Sequence, residues 1–309
     1  MPALEITTMV GCPLMCTFCP QAGLKAAYQP DRGNKYLTFE NFKAMLAKVP
    51  RHVRVDFSGM SEPWANDECT DMLRHALEDG RRVAVYTTLY GMSEDDSVVV
   101  AALLEKHRSQ VEVLCLHLPD STSNMKGWKY SEEWERVFLR FKRFVDDRFF
   151  QSVSMMTMDG SGQIHPRLSH LKIRLGKWHG HTRAGSLEEE NVGDQKLIES
   201  PRHELPVTCH STPFYDNNVL LPNGDVVICC MDYNLKHVIG NLQQQDYYDI
   251  WNNPAFLKLA DTNRRHGFSD ETICKSCTVA QTHEAVFRPK QKSTASRLFK
   301  AVRNSFMRA

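Results

Sequence analysis

Long apolar runs are missing from this chain. No stretch of its 309 residues comes near the eighteen or so apolar positions that a membrane-spanning helix needs. A charged start followed by an apolar stretch is missing too. Met1-Pro2-Ala3-Leu4-Glu5 carries no export signal, so a cytoplasmic location is expected. Neither disorder nor a collagen-like repeat fits a chain that is 42% apolar and 24% charged, with only 16 glycines and 14 prolines. Acidic residues are absent from one region, Phe287 to Ala309, which holds seven basic residues. The remainder carries a net charge of −6. A mildly acidic body with a basic tail does not suit a nucleic-acid partner. The length is enough for one large or two modest domains that bury a core without disulfides.

Ten cysteines are present, and eight of them are grouped. Cys12, Cys16 and Cys19 lie near the start, and Cys209, Cys229, Cys230, Cys274 and Cys277 near the end. Cys69 and Cys115 stand alone. Grouped cysteines without an export signal point to metal rather than to a disulfide framework.

The first part of the chain alternates strand and helix patterns. Strands are predicted over Leu4–Val10, His52–Phe57, Arg82–Thr87, Val111–Leu118 and Phe150–Met156, with a last one over Lys172–Leu175. Helices are predicted after an N-cap at Thr38, then over Asp67–Leu77, Asp95–His107 and Glu132–Val145. Such alternation implies parallel strands joined by crossover helices, with chemistry at the strands' C-terminal ends. The expected fold is α/β: a partial (β/α)6 barrel over residues 1–190, a small cysteine-rich domain over 200–286, and a basic tail over 287–309. Pro222-Asn223-Gly224-Asp225 predicts a hairpin turn within the second.

Cys12-x3-Cys16-x2-Cys19 follows directly after the first strand. Three cysteines bind three corners of a cubane iron–sulfur cluster and leave the fourth iron open, as in catalytic rather than structural metal sites. A zinc site is the alternative, but it wants a fourth ligand, and His52 is far away in sequence. This motif resembles the hallmark of the radical S-adenosylmethionine enzymes. Phe18 matches the aromatic residue that the family places before its third cysteine, beside the adenine. Gly59-Met60-Ser61-Glu62-Pro63 resembles the family's Gly-Gly-Glu-Pro segment, which binds the methionyl ammonium; Ser61 stands where a second glycine is usual. Thr87 and Thr88 end the third strand as polar cofactor contacts. Where the family often has Ser-x-Asp near the ribose, this chain has His117-Leu118-Pro119-Asp120, so His117 is either a ribose contact or a core histidine. The resemblance implies a [4Fe–4S] cluster whose open iron chelates S-adenosylmethionine, which is reductively cleaved to a 5′-deoxyadenosyl radical that abstracts a hydrogen atom. Flavodoxin or ferredoxin is the expected electron donor.

Cys209, then Gly224-x4-Cys229, then Cys274-x2-Cys277, resembles the SPASM or "twitch" auxiliary-cluster domain of many such enzymes. Four cysteines suffice for a second [4Fe–4S] cluster, and Cys230 is a fifth candidate. Four-thiolate zinc has the same spacing. Asn241 and Trp251 match the family's usual residues between the cysteine pairs.

The substrate is less legible. An auxiliary cluster can accept an electron, which suits an oxidation of a small polar substrate, sugar-like in kind. Maturation of a peptide, activation of a protein and a non-catalytic zinc module are the alternatives. Trp178-His179-Gly180-His181-Thr182-Arg183 has groups suited to a hydroxylated or phosphorylated ligand. Lys126, Gly127 and Trp128 are weaker candidates, and Met155, Met156 and Met158 suit the core better than a cofactor. Leu298, Val302 and Phe306 recur every four residues in the basic tail, a pattern for a membrane surface or a partner. Deleting residues 290–309 is expected to leave cluster assembly intact.

Overall fold

The computed structural model describes residues 2–28, 34–157, 162–176, 182–187 and 200–282. The Trp178–His181 segment, Met158 and the basic tail fall outside them.

Five strands joined by helical crossovers come first, with two helices in the first crossover. The strands are β1 (Ala3–Ile6), β2 (Arg54–Phe57), β3 (Val83–Thr87), β4 (Val111–His117) and β5 (Ser152–Met156). The helices are α1 (Gln21–Ala27), α2 (Phe39–Leu46), α3 (Cys69–Glu78), α4 (Glu94–Lys106) and α5 (Glu132–Asp146). Side-chain caps start three of the helices. Thr38 accepts from the Asn41 amide, Ser93 from that of Asp96 and Ser131 from that of Trp134, each worth about 1 kcal/mol. The apolar faces of α2, α3 and α5 lie on one side of the sheet. Phe42, Met72, Leu73 and Phe138 join Val55, Phe57, Val83, Val85 and Leu114 there in one core.

Strands β1 to β5 run parallel, as the alternating pattern requires. The sheet then continues beyond β1. Strand β7 (Asn217–Leu220) pairs parallel with it, and β8 (Asp225–Val227) and β9 (Val238–Asn241) follow antiparallel. The full order is β5-β4-β3-β2-β1-β7-β8-β9. The hairpin falls where the Asn-Gly turn places it, and Gly224 takes φ +86°. Asn241 closes that turn by donating to the Asn223 carbonyl and the Asp225 carboxylate at 3.1 and 3.0 Å. The expected strand at Lys172–Leu175 does not form. One parallel bridge, Met156 to Gly176, stands at that edge, because four residues alternating basic and apolar offer no two-sided apolar run for a buried parallel strand. Helix α6 (Pro254–Arg264) and a two-stranded ribbon of β6 (Val207–Cys209) and β10 (Ala280–Thr282) complete the cysteine-rich end. Among the described residues no helix is long and apolar enough to cross a membrane.

Candidate functional site

The inner face of the sheet is polar. Arg54, Asp56 and Ser58 alternate with Val55 and Phe57, which belong to the helix-side core. Arg54 clasps both Asp56 oxygens at 2.6 and 2.7 Å and reaches Glu112 at 3.0 Å. Glu5 pairs in register with Asp56. Burial, followed by the neighbouring Asp56, pushes the Glu5 pKa up to about 7.

The cysteine loop leaves the C-terminal end of β1 and is clamped from two sides. Gln21 opens α1 with an amide that works at both ends. Its oxygen accepts from the Cys12 amide at 3.2 Å, and its nitrogen donates to the Met60 carbonyl at 2.7 Å. The loop after β4 holds the other side. The Gly127 amide donates to the Leu14 carbonyl at 2.8 Å, and the Thr17 amide to that of Asn124 at 3.0 Å. A Cβ on Gly127 would stand 2.1 Å from the Pro13 carbonyl oxygen, so only glycine allows this approach. Gly127 therefore shapes the cysteine loop. Asp120 organises the same clamp, its Oδ1 accepting from Thr122 and Asn124.

The Gly59–Pro63 segment ends β2 beside that loop. Gly59 has φ +68°, and a Cβ there would lie 2.5 Å from Thr7 Oγ1 and 2.8 Å from the Thr7 amide. Glu62 is buried, and four donors reach its carboxylate: the Thr87 hydroxyl at 2.5 Å, the Thr88 amide and hydroxyl at 2.7 and 2.8 Å, and the Trp64 amide at 3.3 Å. Burial still dominates and raises its pKa to about 7. Pro63 starts a short 3₁₀ turn over Pro63–Ala65, and its carbonyl accepts from Thr8 at 2.9 Å. Ser61 meets the Met9 amide at the limit of hydrogen bonding, 3.5 Å.

These residues enclose a cavity of about 110 Å³. Cys12, Cys16 and Cys19 line it together with Phe18, Gly59, Ser61, Glu62, Thr88 and His117. Pro63 stands behind this wall in its turn. Burial raises the Cys12 thiol to about 11 and Cys16 well above its usual value, with the neighbouring cysteines adding to the latter. Burial, then Arg183, lowers the His117 pKa to about 4, so the imidazole is neutral at physiological pH.

The other four cysteines meet in a second cavity, of about 180 Å³, which Cys209, Cys229, Cys274 and Cys277 all line. Cys209 sits opposite Ala280 in the β6–β10 ribbon. Cys274 lies within a 3₁₀ turn over Ile273–Ser276, and Cys277 follows it as the C-cap. Between them the ammonium of buried Lys275 donates to the Leu205 and Arg265 carbonyls at 2.6 and 2.9 Å. His237 Nε2 accepts from the Ile273 amide at 3.2 Å, and burial lowers its pKa to about 4. Cys230 lines the cavity as well, and Glu5 reaches it from the barrel.

Both cysteine groups fit the clusters their spacing suggests: three thiols line one cavity, and the four spaced cysteines with Cys230 line the other. Among the described residues no three His, Cys, Asp or Glu side chains converge as a single ion would demand. A cubane instead holds each thiolate at its own corner. Two lone cysteines serve the core: Cys69 is buried in α3, and the Cys115 sulfur accepts from Ser154 at 3.2 Å. Thr87 and Thr88 both bond to Glu62. Trp251 packs on Tyr247 with ring centroids 4.9 Å apart, and His52 is exposed.

Sequence reasoning missed Gln21 and Glu5, and also Tyr86 and Met125, which line the first cavity. The alternation of Arg54, Asp56 and Ser58 with apolar partners was a readable sign of a polar barrel interior.

Residues 209–278 match the model of the SPASM family, an iron-sulfur cluster-binding domain. The chain carries a SPASM domain. Solved structures share the fold of the parallel sheet and this segment together. The first is BtrN in complex with AdoMet and 2-DOIA, at TM-score 0.53 and 16% identity, covering 90% of this chain and 93% of that one. A selenomethionine BtrN in an open conformation follows at 0.50 and 14%, covering 90% and 92%. SuiB of Streptococcus suis, bound to precursor peptide SuiA, stands at 0.46 and 13%, covering 90% and 69%. No curated protein sequence matches the chain. The SPASM segment supplies β7 to β9, so it shares the barrel's sheet.

Proposed function

We propose that this chain is a radical S-adenosylmethionine enzyme that oxidises a small polar substrate, sugar-like in kind. One observation carries the reading: three cysteines, the positive-φ Gly59 and the buried Glu62 carboxylate line one cavity. When bound, a [4Fe–4S] cluster and S-adenosylmethionine would supply a 5′-deoxyadenosyl radical able to take a hydrogen atom from carbon. Cys12, Cys16 and Cys19 would hold that cluster. Gly59 and Ser61 form the cavity wall, and Glu62 places a carboxylate where a methionyl ammonium needs a counter-charge. Phe18 offers the adenine an apolar face, while Thr88 and neutral His117 offer polar contacts. Burial around Met125 and Phe18 excludes water from the reacting atoms. Cys209, Cys229, Cys274 and Cys277 would hold the second cluster, which would take up the electron that an oxidation releases. The AdoMet and 2-DOIA held by BtrN, a protein of similar fold, support a small-molecule substrate.

The test is anaerobic reconstitution with iron and sulfide, then reduction with S-adenosylmethionine present. About eight irons per chain (two clusters of four) and release of 5′-deoxyadenosine are expected. Zinc in both cysteine groups, or no 5′-deoxyadenosine, overturns the reading. Deuterium passing into 5′-deoxyadenosine from a labelled peptide, and from no small polyol, replaces it with a maturase.

A further inference from the structure

Tyr233 belongs to the SPASM segment, yet its hydroxyl lies at the first cysteine group. Its oxygen is 3.7 Å from Cys19 Sγ, and the side chain is buried. The segment is built to hold it there. Asp232 accepts from the Lys236 and His237 amides at 2.9 and 2.7 Å, curling the chain into a tight turn with Leu235 at φ +50°. That turn packs Tyr233 and Leu235 against Val10, Leu24 and Met60, beside the cysteine loop. Arg183 covers the tyrosine ring, its guanidinium carbon 5.2 Å from the centroid. Arg183 also donates to the Phe18 and Cys230 carbonyls, both at 3.4 Å, so it ties the two cysteine groups together through the same ring.

We infer that Tyr233 is a positioning residue for the first cluster, donating its hydroxyl hydrogen bond to the Cys19 thiolate and raising the cluster's reduction potential. The inference rests on the functional reading above. A donor to a ligating sulfur withdraws electron density from iron and stabilises the reduced, more negative cluster. Arg183 strengthens the effect, because a cation over the ring makes the phenol a better donor. The two cysteine groups are therefore coupled by a side chain as well as by a shared sheet.

Replacing Tyr233→Phe removes one oxygen and leaves the packing in place. The full chain, reconstituted without oxygen, is titrated against potential while its electron paramagnetic resonance is followed. The signal that changes on adding S-adenosylmethionine identifies the first cluster. Tyr233→Phe is expected to lower that cluster's midpoint so that about tenfold less of it is reduced at a given potential, about 59 mV for one electron. Iron content and the second cluster's midpoint stay unchanged. One exchangeable proton coupling to the first cluster, seen on transfer to heavy water, disappears in the variant. An unchanged midpoint for the S-adenosylmethionine-responsive cluster overturns the inference and leaves the functional reading standing. A parent chain with no such responsive signal overturns the reading and this inference together.

Discussion

The two cysteine groups are built by opposite means. Cys12, Cys16 and Cys19 sit within eight residues on one loop, and the barrel clamps that loop through Gln21, Asn124 and Gly127. Cys209, Cys229, Cys274 and Cys277 span nearly seventy residues and reach one cavity only because a ribbon, a hairpin and a 3₁₀ turn converge. A local motif keeps its geometry if its clamps hold. A dispersed one depends on every element that carries a ligand. Three thiols line the first cavity, and four dispersed cysteines with Cys230 line the second; on the proposed reading the first would be the reacting site and the second the electron-holding one.

Replacing Cys12, Cys16 and Cys19 together by alanine breaks the comparison most sharply. Cleavage of S-adenosylmethionine is expected to vanish while about half the iron remains, read by iron analysis and chromatography of 5′-deoxyadenosine. Cys274→Ala with Cys277→Ala should do the reverse, removing the other half of the iron and the oxidised product but leaving cleavage measurable. Equal loss of both clusters in either variant would show that the groups do not assemble independently.

The next effect concerns backbone. Gly59→Ala places a Cβ against Thr7 at a positive φ, so a loss of roughly 2 kcal/mol or more is expected in denaturant unfolding. Weaker binding of S-adenosylmethionine should accompany it in calorimetry.

Protons act on the two regions with opposite sign. Glu62 binds its proton more tightly folded than unfolded, its pKa rising from 4.5 to about 7. Its contribution is full below pH 4.5 and lost as pH climbs to about 7, by about 3 kcal/mol. His237 binds its proton less tightly when folded, its pKa falling from 6.5 to about 4. Its contribution is full above pH 6.5 and lost as pH drops toward 4, again by about 3 kcal/mol. In the metal-free chain, Glu62→Gln should flatten the alkaline-side decline and His237→Gln the acid-side one. Urea unfolding from pH 4 to 8 separates the two.

Ser61→Gly should be the smallest change. Its one contact is at the edge of hydrogen bonding, so a stability change within about 0.5 kcal/mol is expected, with cleavage unchanged.

Much of this was legible because it is local. The cap at Thr38, the strand–helix alternation and the Asn223-Gly224 turn each depend on neighbours in sequence. Cys12-x3-Cys16-x2-Cys19 is legible for the same reason, since three ligands on one short loop carry their spacing with them. Lys172–Leu175 failed as a strand because a strand exists only with a pairing partner, and one bridge is all that its neighbour provides. Gln21 and Tyr233 gave no signal because their roles are long-range. Tyr233 lies 214 residues from the sulfur it meets.

What the sequence determined by itself was the chemistry available: two clusters of cysteines, one glutamate after a tight glycine turn, and alternating strands and helices to carry them. Tertiary structure alone decided that β7 lies against β1, and so that the second cysteine group stands beside the first. Strand pairing and burial act between residues brought together in space, and no spacing along the chain encodes which edge of the sheet a distant strand will find.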